Sequence, residues 1–375
     1  MSLRPIATAG LLAALTLLLY GFGLGASPLT TEEIAFNTQA QSIRAGSMPL
    51  FFHAQGDQWL PPVAVYANAA IRSAAGGEMS GRVASAIAGA ADVALAFLIA
   101  QLITGRSWVG IVTAVLLAAT PAHWRFAELG TDAIVPVPLI LLWLWNVVSF
   151  FQRDSIRNLG AAAAALGLSV YAHPAAPLTA LYLWALTLYV ARRRNRVRLA
   201  TASLIFIGAW MPAAAWFFLH FDSYAETFGR WVILAPHLRN PIDFWWAFVN
   251  PNTLGTRAAL YWGFWDPSWM IFGRRGIAPL LWWTLPLIVV GTYRCNQGVE
   301  RTTGSLLIGA ALLIPVAGCG FGAARYIASA TAILPLVAIV SGLGAHQLAV
   351  FFQRKIQGPA ADPETAGGQR FSSPS

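Results

Sequence analysis

Residues 80–124 read SGRVASAIAGAADVALAFLIAQLITGRSWVGIVTAVLLAATPAHW and contain only three charged side chains, Arg82, Asp92 and Arg106. Two apolar runs, 83–104 and 107–120, flank the short break at Gly105 and Arg106. About 20 helical residues cross the hydrocarbon core of a bilayer, so the first run is long enough to span it. The second run is shorter and needs tilt or neighbouring loop residues to span it. The stretch therefore predicts a helical hairpin in a membrane.

The whole chain has the composition of an integral membrane protein. Of its 375 residues, 57% are hydrophobic and 10% are charged, whereas soluble domains carry about 25% charged residues. An uncleaved first helix is favoured over a signal peptide, because only Arg4 precedes it and its apolar stretch is long. We predict an all-α polytopic fold of about ten transmembrane helices: 6–25, 83–104, 107–120, 132–151, 158–172, 176–191, 199–219, 276–293, 303–319 and 327–351.

The positions of arginine predict how these helices are oriented. Every short connection assigned to the cytoplasm carries arginine, with the densest run at 192–198, as the positive-inside rule requires. Both termini then lie in the cytoplasm, and most acids lie outside. We expect a membrane domain at 1–355 and a disordered cytoplasmic tail at 356–375, which is rich in Gly, Pro and Ser. The membrane domain has two long outer loops, 26–82 and 220–275. We expect the first to contain amphipathic helices at the membrane surface.

Charge and motif content exclude several classes of function. The net charge of +9 does not indicate a nucleic-acid partner, because the basic residues flank apolar segments where they contact anionic headgroups. No Gly-rich nucleotide loop, paired CxxC or HExxH zinc motif occurs, which disfavours a nucleotide-sugar donor and a soluble cofactor. Cys295 and Cys319 fall on opposite predicted faces, so no disulfide is expected.

Two adjacent carboxylates, Glu32 and Glu33, directly follow the first apolar segment on the predicted outer side. In so weakly charged a chain, this pair indicates acid–base or metal-binding chemistry at a membrane surface. The structural alternative is that both residues cap a surface helix, where acids near the N-terminus are favourable. Asp132 opens a predicted helix and is open to the same two interpretations. Asp92 lies near the middle of a span, where a carboxyl must find a partner or a water-filled cavity.

A series of segments along residues 1–350 carries a family resemblance. The stretch 28–52, PLTTEEIAFNTQAQSIRAGSMPLFF, combines an acidic motif, a helix and a Gly-x-x-Pro turn; YWGFWDPSWMIFG at 261–273 and ARYIASATAILPLVAIVSG at 324–342 follow later. Together with 80–124, they resemble the GT-C superfamily, and within it glycosyltransferase family 39 and its bacterial relatives. Those relatives include protein mannosyltransferases and enzymes that transfer aminoarabinose to lipid A.

The resemblance implies a reaction and a place for it. Family members transfer a sugar, with inversion, from a polyprenyl-phosphate carrier to an acceptor at the outer leaflet. For this chain, the resemblance implies transfer to a lipid, glycan or protein at the outer leaflet of the bacterial cytoplasmic membrane. By motif position, Glu32 replaces the usual Asp of the family and is the expected base. Glu33 and Asp132 are the accompanying catalytic candidates.

The donor phosphate and a cation have further candidate ligands. Arg325, followed by Tyr326, is expected at the outer end of the last helix, where its guanidinium would grip the phosphate through a charge-assisted fork. Arg274 and Arg275 form a second candidate pair; interfacial headgroup contact is the alternative for all three arginines. Glu33 and His53 are candidate ligands of a divalent cation, Mg²⁺ or Mn²⁺.

Two other classes of protein compete with the enzyme. A non-catalytic scaffold, or a carrier of a lipid-linked intermediate, is favoured by the segment YAHPAAP at 171–177, which lacks an arginine that relatives often carry. The acid pair favours the enzyme instead. A transporter is disfavoured, because the polar residues gather at one predicted face and no internal repeat is seen.

Overall fold

The structure is a computed structural model that describes residues 3–54, 58–221, 251–273, 278–296, 301–319, 328 and 330–357. In this part of the chain nearly all regular structure is helical, which confirms the predicted all-α polytopic class. The sequence did not predict the short antiparallel hairpin of β1 (Phe52–Ala54) and β2 (Gln58–Leu60), in which His53 pairs with Trp59.

Ten helices are described before residue 221. The predicted surface helices of the first long loop are α2 and α3, and a bundle of apolar helices makes up the rest. Their bounds are α1 Leu3–Gly21, α2 Thr31–Arg44, α3 Pro62–Ala75, α4 Ser80–Thr104, α5 Ser107–Ala118, α6 Pro121–Glu128, α7 Pro136–Arg153, α8 Ile156–Ser169, α9 Ala176–Ala191 and α10 Arg196–Leu219.

Five more helices are described after residue 250. Two lie in the predicted second outer loop and three complete the bundle, the first of these after a 3₁₀ turn at Trp282–Thr284. Their bounds are α11 Pro251–Phe264, α12 Pro267–Phe272, α13 Leu285–Cys295, α14 Arg301–Gly318 and α15 Ile333–Gln357.

Each of the ten predicted spans coincides with a helix, but they differ in length. Among the described residues, α1, α4, α10, α14 and α15 are long and apolar enough to cross a membrane. Helices α8, α9 and α13 have only 14, 16 and 11 residues. The number of ten crossings therefore stays a prediction.

The predicted bounds differ from the helices at several ends, and two of the differences have a clear physical cause. The span 107–120 is the first half of a bent pair, α5 and α6, whose axes meet at 65°; the bend falls at Pro121, which begins α6 because proline fits the first helical turn but not a helix interior. The span 276–293 becomes α-helical only at Leu285, with proline again in the first turn.

Helix α4 is the centre of the bundle and packs against α1, α3, α5, α6, α7 and α15. Small residues permit the close approach of its neighbours, as is usual for helices in membranes. Gly110 of α5 lies so close to Phe97 that a Cβ there would be 2.6 Å from its ring. The central helix therefore fixes the positions of the segments at both of its ends.

The predicted outer loops meet at one end of the bundle, called here the α2–α3 end because α2, the hairpin and α3 cover it. There the Val63 amide donates to the Tyr171 carbonyl at 3.2 Å, and the Phe51 and Trp216 rings lie 4.4 Å apart. At the opposite end, Arg198 of the arginine run donates to Asp154 at 2.6 Å. The two sets of loops thus lie at opposite ends of the molecule.

Candidate active site

The acid pair begins α2, and the two glutamates have different environments. Thr30 and Glu33 form a capping box: the Glu33 amide donates to Thr30 Oγ1 at 3.2 Å, and the Thr30 amide donates to Glu33 Oε2 at 2.8 Å. Glu33 is buried, whereas Glu32 is half-buried in the same helical turn. The capping interpretation is therefore confirmed for Glu33.

Glu33 also forms a buried ion pair with Arg82, the third residue of α4. Arg82 Nε donates to Oε1 at 2.7 Å and Nη2 donates to Oε2 at 3.0 Å, which is the bidentate geometry of a strong pair. The other three N–H groups of Arg82 donate hydrogen bonds to the carbonyls of Leu24, Ser27 and Pro28 at 2.6, 2.9 and 3.0 Å. Since a guanidinium has five donors, Arg82 is fully satisfied.

A third segment joins this pair through a close backbone contact. The Gly130 amide donates to Glu33 Oε1 at 3.0 Å, across 97 residues of sequence. It can approach because Gly130 lies directly on α4: a Cβ at Gly130 would be 3.0 Å from the Arg82 amide nitrogen and from the Gly81 carbonyl carbon. The ion pair therefore ties together the segment after α1, the start of α2, the start of α4 and the segment after α6.

The same contacts set the charge state of Glu33. Burial alone would raise the pKa of this carboxyl, but the hydrogen bonds from Arg82, from the Thr30 and Gly130 amides and from the Thr30 hydroxyl outweigh it and lower the pKa to about 2. Glu33 is thus a firmly ionised carboxylate with both oxygens occupied. To act as a base or as a metal ligand, it would have to give up Arg82.

Asp132 lies two residues after Gly130, in the segment between α6 and α7, and is buried. Its carbonyl accepts the Val135 amide at 3.3 Å, and the neighbouring Thr131 carbonyl accepts Ser85 Oγ at 3.4 Å. Because Gly130 contacts Glu33, the structure brings the segments of two predicted acids, Glu33 and Asp132, to the same end of α4.

A buried amide network holds α2 and α3 on this end. Asn68 of α3 donates to Asn37 Oδ1 at 2.8 Å and accepts Ser80 Oγ at 2.6 Å, and Asn37 donates to the Glu78 carbonyl at 2.9 Å. Buried polar groups that are all hydrogen-bonded specify one arrangement of their helices. The first turn of α2, which carries Glu32, is thus fixed from two sides.

His53, the other metal candidate, is the exposed residue of β1 and packs against Trp59, with ring centroids 4.7 Å apart. Within the part of the chain that the structure describes, no three His, Cys, Asp or Glu side chains are grouped so as to hold a metal ion. The predicted divalent cation therefore has no set of three ligands there, and its involvement stays a prediction.

The predicted phosphate ligands Arg274, Arg275, Arg325 and Tyr326 lie outside the described residues. Residues that follow Arg325 in sequence are described, and Thr331 lines a small cavity with Pro136, His173 and Thr179. Pro136 begins α7 just after Asp132, so the cavity adjoins the Asp132 segment. The opposing walls come from α9, α14 and the residues before α15.

Two basic residues, Arg82 and Arg257, were not predicted as site residues. Arg82 had no predicted role, although the spacing Thr30-x-x-Glu33 is a capping-box signature that marks Glu33, rather than Glu32, as structural. Arg257 of α11 is half-buried and lies within electrostatic range of Tyr182 and Cys319. No sequence signal distinguishes Arg257 from the other outer arginines.

Comparisons with known proteins give a family match over part of the chain and a similar fold over nearly all of it. The sequence model of the family described as dolichyl-phosphate-mannose-protein mannosyltransferase matches residues 60–216. This segment contains Arg82, Gly130, Asp132 and His173. No curated protein sequence matches the chain.

Two crystal structures of ArnT from Cupriavidus metallidurans have similar folds. The one bound to undecaprenyl phosphate gives a TM-score of 0.66 at 15% identity, covering 97% of this chain and 66% of that one. The apo structure gives 0.63 at 15% identity, covering 94% and 62%. This chain thus spans less than two thirds of the length of either. The family match over residues 60–216 agrees with the GT-C resemblance that the sequence predicted, and the ArnT structures share the fold of this chain.

Proposed function

We propose that the protein is an inverting glycosyltransferase that moves a sugar from a polyprenyl-phosphate carrier to a lipid, glycan or protein acceptor. The observation that carries this proposal is the different use of the two acids. Both carboxylate oxygens of Glu33 are bound in the ion pair that joins four segments, while Glu32 is half-buried on the first turn of the same helix. A fold that fixes one acid through the other fits a positioned reactive group better than a surface cap.

In this proposal Glu32 takes the proton of the acceptor hydroxyl. Such a general base must be positioned within hydrogen-bond reach of the hydroxyl and must be ionised before it reacts. Because Arg82 neutralises Glu33, the reactive carboxylate does not have to share its surroundings with a second uncompensated negative charge. Asp132, on the adjoining segment, is the second catalytic candidate.

The departing lipid phosphate needs positive charge, which arginine supplies best through two parallel hydrogen bonds. We propose that Arg325, together with Tyr326, binds this phosphate, and that Arg257 contributes a second guanidinium to it. Arg257 lies near Tyr182, one helical turn along α9 from Thr179, which lines the cavity beside the Asp132 segment. The fold neighbour bound to undecaprenyl phosphate supports a donor of this chemical class.

We further propose that the α2–α3 end faces the exterior of a bacterial cytoplasmic membrane, with both termini in the cytoplasm. The arginine run that contacts Asp154 at the opposite end supports this orientation, since basic loops stay on the cytoplasmic side. A donor that cannot leave the bilayer would then reach the site from the outer leaflet.

Reconstituted vesicles and a radiolabelled polyprenyl-phosphate sugar test the proposal against the carrier alternative. An enzyme releases the polyprenyl phosphate and transfers the label to an acceptor in the membrane extract. A carrier or scaffold binds the donor, yet never transfers its label, whichever lipid, glycan or protein fraction is added. Binding without transfer in all fractions would overturn the proposed function.

A further inference from the structure

Three polar side chains from three helices form a chain inside the bundle. Tyr20 Oη of α1 lies 2.8 Å from His123 Nδ1 of α6, and His123 Nε2 lies 3.3 Å from Asp92 Oδ2 of α4. All three residues are fully buried. This confirms the prediction that Asp92 has a partner within the bundle, and it places the partner on the bent helix.

The geometry distinguishes a neutral chain from an ion pair. Charge-assisted N–H···O contacts measure about 2.7–2.9 Å, as Arg82 and Glu33 do at 2.7 Å, whereas Asp92 and His123 are 3.3 Å apart. Moreover, Asp92 Oδ1 is buried and accepts no hydrogen bond from any described residue. A carboxylate would leave half of its charge unsolvated there, which is far more costly than leaving a neutral carbonyl oxygen unpaired.

The 3.3 Å contact and the unpaired Oδ1 argue against a carboxylate paired with a doubly protonated His123. With a neutral His123, one placement of protons satisfies every observed contact of the chain. Asp92 Oδ2–H donates to His123 Nε2, His123 Nδ1–H donates to Tyr20 Oη, and the Tyr20 hydroxyl donates to the Ala118 carbonyl, 3.4 Å away. If Asp92 were ionised and His123 neutral, the Tyr20 proton would go to His123 and the contact with Ala118 would have no donor.

The chain lies where it can hold the bend between α5 and α6. Ala118 ends α5, His123 lies in the first turn of α6, and Gly89 of α4 supports Ala127 so closely that a Cβ on it would be 2.7 Å away. The residues that follow α6 are those of the Gly130–Asp132 segment. Fixing α6 therefore fixes where that segment starts.

We propose that Asp92 is protonated in the folded protein and that the neutral chain Asp92–His123–Tyr20 is a positioning device for the Gly130–Asp132 segment. The protonation stands on its own, whereas the positioning of Asp132 for reaction rests on the proposed function. None of the three residues is a catalytic residue in this proposal.

Infrared spectroscopy tests the protonation without any need for turnover. The wild-type minus Asp92→Asn difference spectrum should contain a carboxylic-acid C=O band that shifts in D₂O. The matched control is Asp154→Asn, which removes an exposed carboxylate that is paired with Arg198 and should give carboxylate bands only. A difference spectrum for Asp92 that also shows only carboxylate bands would overturn the proposal.

Turnover and donor affinity then test the positioning of the Gly130–Asp132 segment. Asp92→Asn keeps a donor to His123 and should retain turnover within about threefold. Asp92→Ala leaves a buried imidazole unpaired, which disfavours the native position of α6 by roughly tenfold or more. Turnover in Asp92→Ala should therefore fall by about tenfold or more. Tyr20→Phe should lower the rate while donor affinity is kept. Equal losses in Asp92→Asn and Asp92→Ala would contradict the positioning role. If the wild type shows no transfer at all, the infrared band still decides the protonation.

Discussion

Arg82 and Glu33, 49 residues apart in sequence, form a buried bidentate ion pair with contacts of 2.7 and 3.0 Å. The pair joins α2 to α4, and Gly130 connects it to the segment of Asp132. The contacts give Glu33 a structural role, and in the proposed function Glu32 is the reactive acid.

The first prediction concerns the stability of that pair. Glu33→Gln removes the charge that compensates buried Arg82, and removing one partner of a buried pair costs about 3–5 kcal/mol. We expect a loss of this order in the free energy of unfolding, measured in mixed micelles. Glu32→Gln, in the same helical turn, is the matched control and should lose less stability, because Arg82 keeps its partner. Equal stabilities of the two variants would contradict the structural role of Glu33.

Acid should unfold the protein through the same residue. A carboxyl whose folded-state pKa lies below its unfolded value adds stability above the unfolded pKa, and this stability is lost as the pH falls through the folded pKa. For Glu33 the pKa is 4.5 in the unfolded chain and about 2 in the folded protein. About 3 kcal/mol of folding stability should therefore be lost as the pH falls across that interval. Thermal midpoints between pH 6 and pH 2 measure it. A midpoint that is flat across the interval would show that Glu33 is not ionised as described.

Orientation in the membrane can be tested with introduced cysteines. Cys295 and Cys319 are both buried, so neither reports on topology as an exposed thiol would. Met48→Cys, at a side chain that is 74% exposed at the α2–α3 end, should react with an impermeant maleimide in intact cells. Arg193→Cys, in the exposed arginine run, should react only after permeabilisation. The reverse pattern would place the proposed active site in the cytoplasm.

Donor affinity tests the phosphate ligands. Arg325→Ala should weaken binding of the polyprenyl-phosphate sugar about tenfold, the value of a hydrogen bond to a charged group. Arg325→Lys should weaken it less, because an ammonium keeps the charge but not the fork. Arg257→Ala should behave like Arg325→Ala, and Arg193→Ala, at the opposite end, is the control. An arginine whose alanine variant keeps full affinity would be an interfacial anchor instead.

Local sequence patterns were sufficient for the ten apolar spans but not for the shorter helices α6, α11 and α12 or for the connections. Low charge and apolar runs located all ten predicted spans, since these signals depend only on neighbouring residues. The bend at Pro121 and the late start of α13 at Leu285 depend on packing and on proline positions, and both boundaries were missed. The hairpin was missed because three-residue strands carry almost no periodic signal.

The candidate site was predictable only in part, for a similar reason. The acid pair stood out because charges are rare in this chain. The partners of Glu33 lie 49 and 97 residues away, and no periodic pattern links residues at such distances. The contact between Asp92 and His123 likewise required the bent helix, which places His123 back against the middle of α4.

Turnover of Glu32→Gln tests the central claim most directly. The substitution keeps the shape of the side chain and removes its charge and basicity. A radiolabelled polyprenyl-phosphate sugar in membrane vesicles gives the rate, with Glu32→Asp, the acid usual in the resembled family, as the matched variant that keeps a base. We predict that turnover falls by about 10² or more in Glu32→Gln, is partly retained in Glu32→Asp, and that donor affinity is kept in both. Turnover near the wild-type rate in Glu32→Gln would contradict the assignment of Glu32 as the base.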